Sequence, residues 1–158
     1  MKYNSRAIAL TYLNHGESSI IAKFFTEEMG VQIFLVKNVR SKRAKIKLGF
    51  FQPLQLLQIN ASCVIKKNMQ YLNEIVLAEN TLAKSFSIKN NFISLFIAEI
   101  ISKVLYENIS DKRLFNFIWD TKKSLNNNEQ KTSNYPLYFL LCLSKFLGFY
   151  PLGEGINK

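Results

Sequence analysis

The hydrophobic pattern of this chain changes period half-way along, from two residues to between three and four. In the first half, apolar side chains alternate with smaller or polar ones, as in strands that bury one face. This pattern occupies residues 7–13, 20–26, 31–36 and 69–77. Residues 50–65 are a further apolar stretch, in which Pro53 indicates an edge or a bulge. Gly30 suits the positive φ of a tight hairpin. Five short strands predict a small antiparallel barrel.

The second half has helical periodicity. In residues 88–105, apolar side chains recur at 88, 92, 96, 100 and 104 and again at 93, 97, 101 and 105. Two adjoining stripes predict a helix that is buried over most of its circumference. Ser110 is a predicted N-cap for a helix over residues 111–125, and Asn134 for a third that Gly148 ends.

The change of period predicts an α+β chain with two domains. Residues 1–80 would form the barrel and residues 81–158 the helical domain, with the boundary near residues 79–87. A hydrophobic fraction of 48% is enough for both cores. The residues predicted to be buried are Leu10, Ile33, Leu35 and Leu56 in the barrel, and Phe96, Ile100, Val104 and Trp119 among the helices.

Positive charge is concentrated between the third strand and the apolar stretch that follows it. Residues 37–47, here called the basic loop, carry six cations and no acidic residue, which is more than half of the net charge of +10. Each Lys or Arg that contacts a phosphate releases condensed counterions, so the loop favours nucleic acid as a partner. An acidic protein, a membrane surface or no partner at all are the alternatives.

Catalytic and metal-binding patterns are missing from the sequence. His15 and Glu17 match half of a zinc deaminase motif, but the P-C-x-x-C half is absent. Cys63 and Cys142 are far apart and form no metal motif, and no glycine-rich phosphate loop is present. We therefore expect no enzyme activity, no cofactor, no metal and no small-molecule substrate. Free thiols are typical of a reducing cytosol.

Targeting signals are also missing. The chain begins with an alternating segment in place of a signal peptide. Its most apolar window, residues 92–105, is interrupted by Glu99 and Lys103 and is too short to span a bilayer. The sequence predicts a soluble, cytoplasmic protein that is not bound to a membrane.

Several short motifs occur together in an order typical of one family. They are GESS at 16–19, TEEMG at 26–30, VKNVRS at 36–41, QPL at 52–54, AEII at 98–101, LF at 114–115 and LGFYP at 147–151. In these motifs the chain resembles the RecO family of bacterial recombination mediators and DNA-annealing proteins. Asn38 stands where the family usually has glycine, and Asn also tolerates a left-handed backbone. Family members continue beyond Pro151 with further helices, so we expect a C-terminally truncated helical domain.

The resemblance implies an OB-fold barrel followed by a helical domain. It also implies binding to single- and double-stranded DNA, strand annealing, and recombinase loading on strands coated by single-strand-binding protein (SSB). The implied partners are RecR and the C-terminal tail of SSB, and the implied location is the cytoplasm, in association with the nucleoid. If helices beyond the third are lacking, Phe139, Leu143 or Phe146 should be partly exposed or covered by another copy of the chain.

The DNA-binding prediction combines cations with aromatic side chains on which bases could stack. A second candidate surface is a groove that bears Arg6, Lys23 and Tyr71. The predicted DNA-binding residues are Lys37, Arg40, Lys42, Arg43, Lys45, Lys47, Phe34, Tyr71, Arg6 and Lys23.

Two other classes of function remain open from the sequence. The chain could be an RNA-binding OB-fold protein that acts in translation or ribosome assembly. It could also be an interaction scaffold that works through its helical half. Competition between single-stranded DNA and structured RNA would separate the first of these from a DNA-repair function.

Overall fold

A computed structural model describes residues 1–42, 44–64, 69–78, 87–107, 109–127 and 133–149. Within these ranges a β-rich first half is followed by α-helices. The strands are β1 (Lys2–His15), β2 (Ser19–Thr26), β3 (Gly30–Val36), β4 (Leu56–Ser62) and β5 (Gln70–Leu77). The helices are α1 (Ile88–Val104), α2 (Lys112–Asn127) and α3 (Tyr135–Phe146), and a short 3₁₀ turn covers Leu48–Phe51.

The five strands form a closed barrel in the order β1-β2-β3-β5-β4, with β4 paired back to β1. All neighbouring pairs are antiparallel except β3 and β5, which run parallel and place Leu35 opposite Tyr71. The prediction of a fully antiparallel barrel is wrong at this pair for a simple reason. Directions cannot alternate all the way around a closed ring with an odd number of strands. A five-stranded barrel of this kind followed by helices is the predicted OB-fold architecture.

The stretch before β4 does not form the strand predicted from residue 50 onwards. The chain instead makes the 3₁₀ turn, and strand pairing begins only at Leu56. Pro53 has no N–H for a ladder, and Leu54 takes a left-handed conformation with φ of 57°. The Leu54 N–H still donates to the Ala9 carbonyl at 2.8 Å, which holds the turn against β1.

The barrel interior is filled by phenylalanine rings beside small residues. Phe24 lies with its ring centroid 5.3 Å from that of Phe34 and 5.8 Å from that of Phe51, and Ala7, Ala9 and Ala22 give these rings room. Because a closed barrel admits only one face of each strand, side chains next to these residues point outward. The burial predicted for Ile33 and Leu35 is therefore wrong, since both are partly exposed.

A second core joins the outside of the barrel to the helices. Leu10 and Leu56 are fully buried, as predicted, but they lie in this second core and not in the barrel interior. On the helical side Trp119 is buried as predicted, whereas Phe96, Ile100 and Val104 are only partly buried. The deeply buried side chains of α1 are those of the other stripe, Ile93, Ile97 and Ile101.

The helix ends follow local capping rules with one change from the prediction. Asp111, not Ser110, caps α2, because its Oδ1 accepts from the N–H groups of Arg113 and Leu114. Asn134 precedes α3 without a capping hydrogen bond from its side chain. Gly148, with φ of 82°, ends α3 as expected.

Two helices keep apolar side chains on their outer surfaces. The prediction that α1 is buried over most of its circumference is wrong, since Ile88, Phe92 and Leu95 are exposed. On α3, Phe139 and Leu143 are buried and only Phe146 is partly exposed. The apolar surface of α3 therefore lies on its other side. It is formed by Leu137, Tyr138, Leu140 and Leu141.

Candidate nucleic-acid interface

The basic loop lies directly after β3 and exposes its cations. Lys37, Arg40, Lys42, Lys45 and Lys47 are all exposed, and Arg43 lies outside the described residues. None of these five forms an ion pair with a carboxylate in the described part of the chain. Their charges are therefore available to an anionic partner.

The loop is anchored to the barrel at several points along its length. The Val39 side chain is buried in the barrel core, and Ile46 and Leu48 pack against that core. Asn38 adopts φ of 59°, which confirms that asparagine can serve at this turn, and its Oδ1 accepts from the Ser18 hydroxyl at 3.2 Å. These contacts restrict where the loop cations can move.

Two further hydrogen bonds place the loop beside the turn between β1 and β2. The Arg40 N–H donates to the Ser18 carbonyl at 3.1 Å, and the Arg40 guanidinium donates to the Gly16 carbonyl at 3.4 Å. The basic loop and this turn therefore border the same end of the barrel.

An apolar row crosses the outside of the barrel next to these two segments. Leu13 pairs with Ile21, Ile21 with Leu35, and Leu35 with Tyr71. Leu13 is 71% exposed and Tyr71 is 39% exposed, while Ile21 and Leu35 are partly exposed. We call these four residues the outer band.

Three of the four members of the outer band, all except Tyr71, were not predicted from the sequence. Alternation shows that Ile33 and Leu35 share one face of β3, but it does not show which face points into a barrel. The hairpin register was the usable signal, because the turn at Gly30 places Ile21 opposite Leu35. Tyr71 belongs to the outer band because β3 pairs with β5, and no local feature of the sequence predicts that pairing.

Phe34 does not fit its predicted role as a stacking platform. Its side chain is 0% exposed and its ring packs on Phe24 inside the barrel. Phe51 is buried in the same core. A base cannot reach either ring, so the prediction for Phe34 is wrong. Tyr71 remains as the accessible aromatic residue of the predicted set.

Lys23 and Arg6 serve the contact between barrel and helices. Lys23 Nζ donates to the Ser102 carbonyl of α1 at 2.6 Å. The Arg6 guanidinium donates to both oxygens of Glu27 at 2.8 Å and to Asn116 Oδ1 at 2.7 Å. Both cations are thus held by groups of the fold, and a DNA-binding groove that combines them with Tyr71 stays a prediction.

Aromatic rings complete the surroundings of Arg6. Its guanidinium carbon lies 4.9 Å from the ring centroid of Trp119 and 5.3 Å from that of Phe115, both on α2. These distances are typical of cation–π contacts. The hydrogen bonds from Arg6 lower the pKa of Glu27 below its ordinary value of 4.5. Arg6 thus links β1, the β2–β3 turn and α2.

Arg6→Met is expected to lower the free energy of unfolding at pH 7 by about 2 kcal/mol, since a partly buried carboxylate loses its partner. The pKa of Glu27 is lowered by folding, so this contribution is present above pH 4.5 and is lost as the pH falls through the folded-state pKa. Urea unfolding at pH 7 and pH 3 should show the difference between the two proteins shrinking in acid.

The control is Lys112→Met, which removes an ion pair whose side chains are 60% and 47% exposed. This change should cost less than about 1 kcal/mol. Equal losses for the two variants, or a difference that does not depend on pH, would contradict the assigned role of Arg6.

Residues 1–81 match the family model described as "Recombination protein O N terminal". That match covers more than half of the chain. The chain belongs to the RecO family. This confirms the resemblance that the motifs indicated.

Curated RecO proteins align along nearly the whole chain. The DNA repair protein RecO of Azobacteroides pseudotrichonymphae is 35% identical over 162 residues, covering 100% of this chain and 66% of the relative. Those of Flavobacterium psychrophilum and Bacteroides fragilis are 30% and 32% identical, covering 63% and 60% of their own lengths. The chain thus spans less than two thirds of the length of these curated relatives.

The described residues contain no helix that is both long enough and apolar enough to cross a membrane. They also contain no group of three or more His, Cys, Asp or Glu side chains placed to hold a metal ion. Cys63 and Cys142 are both free thiols.

Proposed function

We propose that this RecO family chain binds single-stranded DNA on the outside of its barrel and acts in DNA repair and recombination. One observation carries the proposal: an anchored loop with five exposed cations lies next to the outer band of apolar side chains. Single-stranded nucleic acid needs both features, a cationic path for its backbone and an apolar surface for its bases.

The position on the fold agrees with this proposal. OB-fold proteins bind oligonucleotides on the face of strands 2 and 3, with the loop between strands 1 and 2 at its border. Here that face carries Ile21 and Leu35, and the β1–β2 turn and the basic loop border it. Tyr71 lies at the β5 side of the band and offers a ring to a base.

Duplex DNA should bind to the same loop with lower affinity. Its phosphates can contact the basic loop, but its bases are stacked in the helix and cannot reach Tyr71 or Leu13. A protein that favours single strands in this way could hold them for annealing. We therefore extend the proposal to strand annealing and to loading of recombinase on SSB-coated strands.

The proposed partners and setting rest on family membership. They are RecR and the SSB C-terminal tail, with action by binding and without catalysis, in the cytoplasm and at the nucleoid. The similarity to proteins named DNA repair protein RecO supports these proposals. The bounds of the two proposed domains, residues 1–80 and 81–158, likewise remain a proposal.

Tyr71→Ala is expected to weaken binding of a fluorescent single-stranded oligonucleotide by about 5- to 100-fold, which corresponds to one lost base stack. Binding to a duplex of the same sequence should change much less, since its bases are not available for stacking. Fluorescence anisotropy at fixed salt measures both. Tyr138→Ala is the control, because Tyr138 is 57% exposed and lies on α3, not on a strand of the barrel.

Competition with structured RNA tests the alternative function. At matched salt, unlabelled single-stranded DNA should displace the probe at lower concentration than structured RNA does. The reverse order would favour the RNA-binding alternative. Equal losses of single-strand and duplex binding in Tyr71→Ala would argue against base stacking on this residue.

A further inference from the structure

Partly buried polar side chains join the first half of α1 to the last turns of α2. Asn90 Nδ2 donates to the Leu125 carbonyl at 2.6 Å, and Lys122 Nζ donates to the Ser94 hydroxyl at 2.9 Å. The buried face of α2 is apolar at Phe115 and Trp119, and Lys122 follows Trp119 by about one turn. We call Asn90, Ser94, Lys122 and Asn126 the polar seam.

Lys122 lacks an anionic partner in this seam. No carboxylate of the described residues forms an ion pair with it. Burial lowers the pKa of Lys122 from 10.5 to about 8. An ammonium group has three donor hydrogens. Its contact with Ser94 uses one of them, and the others have no assigned acceptor among the described residues.

Asn126 provides a second donor that is not satisfied. Its Nδ2 is buried and has no hydrogen-bond partner among the described residues. Residues four apart lie next to each other on one side of a helix, so Asn126 and Lys122 are neighbours. A buried polar group without a partner is rare in folded proteins. Two adjacent side chains therefore offer donor hydrogens at a place where an acceptor is lacking.

We propose that the polar seam binds one carboxylate group, whose oxygens accept hydrogen bonds from Lys122 Nζ and Asn126 Nδ2. A single lysine balances the single charge of a carboxylate, whereas a phosphate monoester carries −1.5 to −2. The Ser94 hydroxyl can accept from Lys122 and donate to the ligand at the same time. The seam shares no residue with the basic loop or the outer band, so this inference does not rest on DNA binding.

The direct test follows Lys122 by NMR in the whole chain labelled with ¹³C and ¹⁵N in lysine side chains. Sodium acetate is the probe, with sodium chloride at equal ionic strength as reference. Acetate should shift the Lys122 signals saturably and raise the pKa of Lys122 towards its ordinary value, because a nearby carboxylate favours the charged amine. The side-chain amide of Asn126 should shift over the same concentration range.

Substitutions distinguish specific binding at the polar seam from a general effect of salt. Lys122→Met should remove the response of Asn126 to acetate while the chain stays folded, since it replaces a buried charge by an apolar side chain of similar length. Asn126→Leu should weaken the Lys122 response several-fold. Lys103→Met is the control, because its side chain is 73% exposed on α1 and pairs with Glu99. It should leave both responses intact.

Titrations with other ligands identify the source of the carboxylate. N-acetyl-aspartate N-methylamide presents the carboxylate of a polypeptide side chain, and tighter binding than acetate would indicate a polypeptide source. Equal binding would indicate a small free carboxylate. Tighter binding of inorganic phosphate would overturn the proposal, as would an equal effect of chloride or an acetate response that persists in Lys122→Met. DNA binding measured on the same samples should not change.

Discussion

Gly30→Ala is expected to lower the free energy of unfolding by about 2–5 kcal/mol, through two separate effects. Gly30 begins β3 with φ of 68°, a conformation that costs any residue with a Cβ about 1–2 kcal/mol. A Cβ at this position would also lie 2.2 Å from the backbone oxygen of Ile109. That oxygen belongs to the chain between α1 and α2, so either β3 or this connection must move.

The close approach at Gly30 also positions the helices on the barrel. Val31, the next residue, forms a parallel bridge with Glu107 and packs in the second core. Displacement of this connection would therefore disturb the buried contact of Phe25 with Phe115. We expect Gly30→Ala to reduce the slope of denaturant unfolding as well, if helices detach before the barrel unfolds.

Gly16→Ala is a matched control for the backbone effect alone. Gly16 has φ of 62°, but a Cβ there would meet nothing within 4 Å. Its cost should be about 1–2 kcal/mol. Urea unfolding followed by Trp119 fluorescence measures both variants, since this tryptophan lies in the second core. Equal losses for the two glycines would mean that the contact with Ile109 does not matter.

Much of the fold was predictable because the signals are local. Alternation and turn residues located four strands, although β1 begins five residues before its predicted start, and helical periodicity located the three described helices. The strand predicted from residue 50 was wrong, because hydrophobicity alone does not distinguish a strand from the turn at Pro53 and Leu54. That turn depends on a hydrogen bond to Ala9, forty-five residues earlier in the chain.

Which face of each strand points into the barrel was harder to predict than where each strand lies in the sequence. A barrel has an inside and an outside, and part of this outside is also buried, beneath the helices. Both faces of β1 are therefore apolar, with Ala9 in the barrel core and Leu10 in the second core. The alternation of side chains along β3 does not show whether Phe34 or Leu35 points into the barrel. The sequence therefore predicts Phe34 at the DNA site and Leu35 in the core, whereas Phe34 is buried in the barrel and Leu35 is partly exposed.

In the candidate site, too, local features were predictable and long-range contacts were not. The basic loop is visible in the sequence because its charges are consecutive. Arg6 and Lys23 are also cations, but the groups that hold them, Glu27, Asn116 and Ser102, come from distant parts of the chain. Composition cannot separate a cation that meets solvent from one that stabilises a contact between two parts of the fold.

Replacement of Lys37, Arg40, Lys42 and Arg43 by Ala is expected to make the salt dependence of single-strand binding shallower by about 3 units on a log–log scale. The reason is that each phosphate contact contributes roughly 0.7 units. Affinity should fall by a similar factor for unrelated sequences, since phosphate contacts carry no base information. The melting temperature should change little, because the three described side chains are exposed and Val39 still anchors the loop.

The control for this variant removes the same charge elsewhere. Replacing Lys89, Lys103, Lys112 and Arg113 by Ala also reduces the net charge from +10 to +6, and all four are exposed on the helices. If DNA docks on the loop, only the loop variant should lose about 3 units of slope. Equal changes in the salt slope of the two variants would mean that DNA responds to the net charge of the protein and not to the loop. An unchanged slope in the loop variant would place the phosphate contacts on another surface.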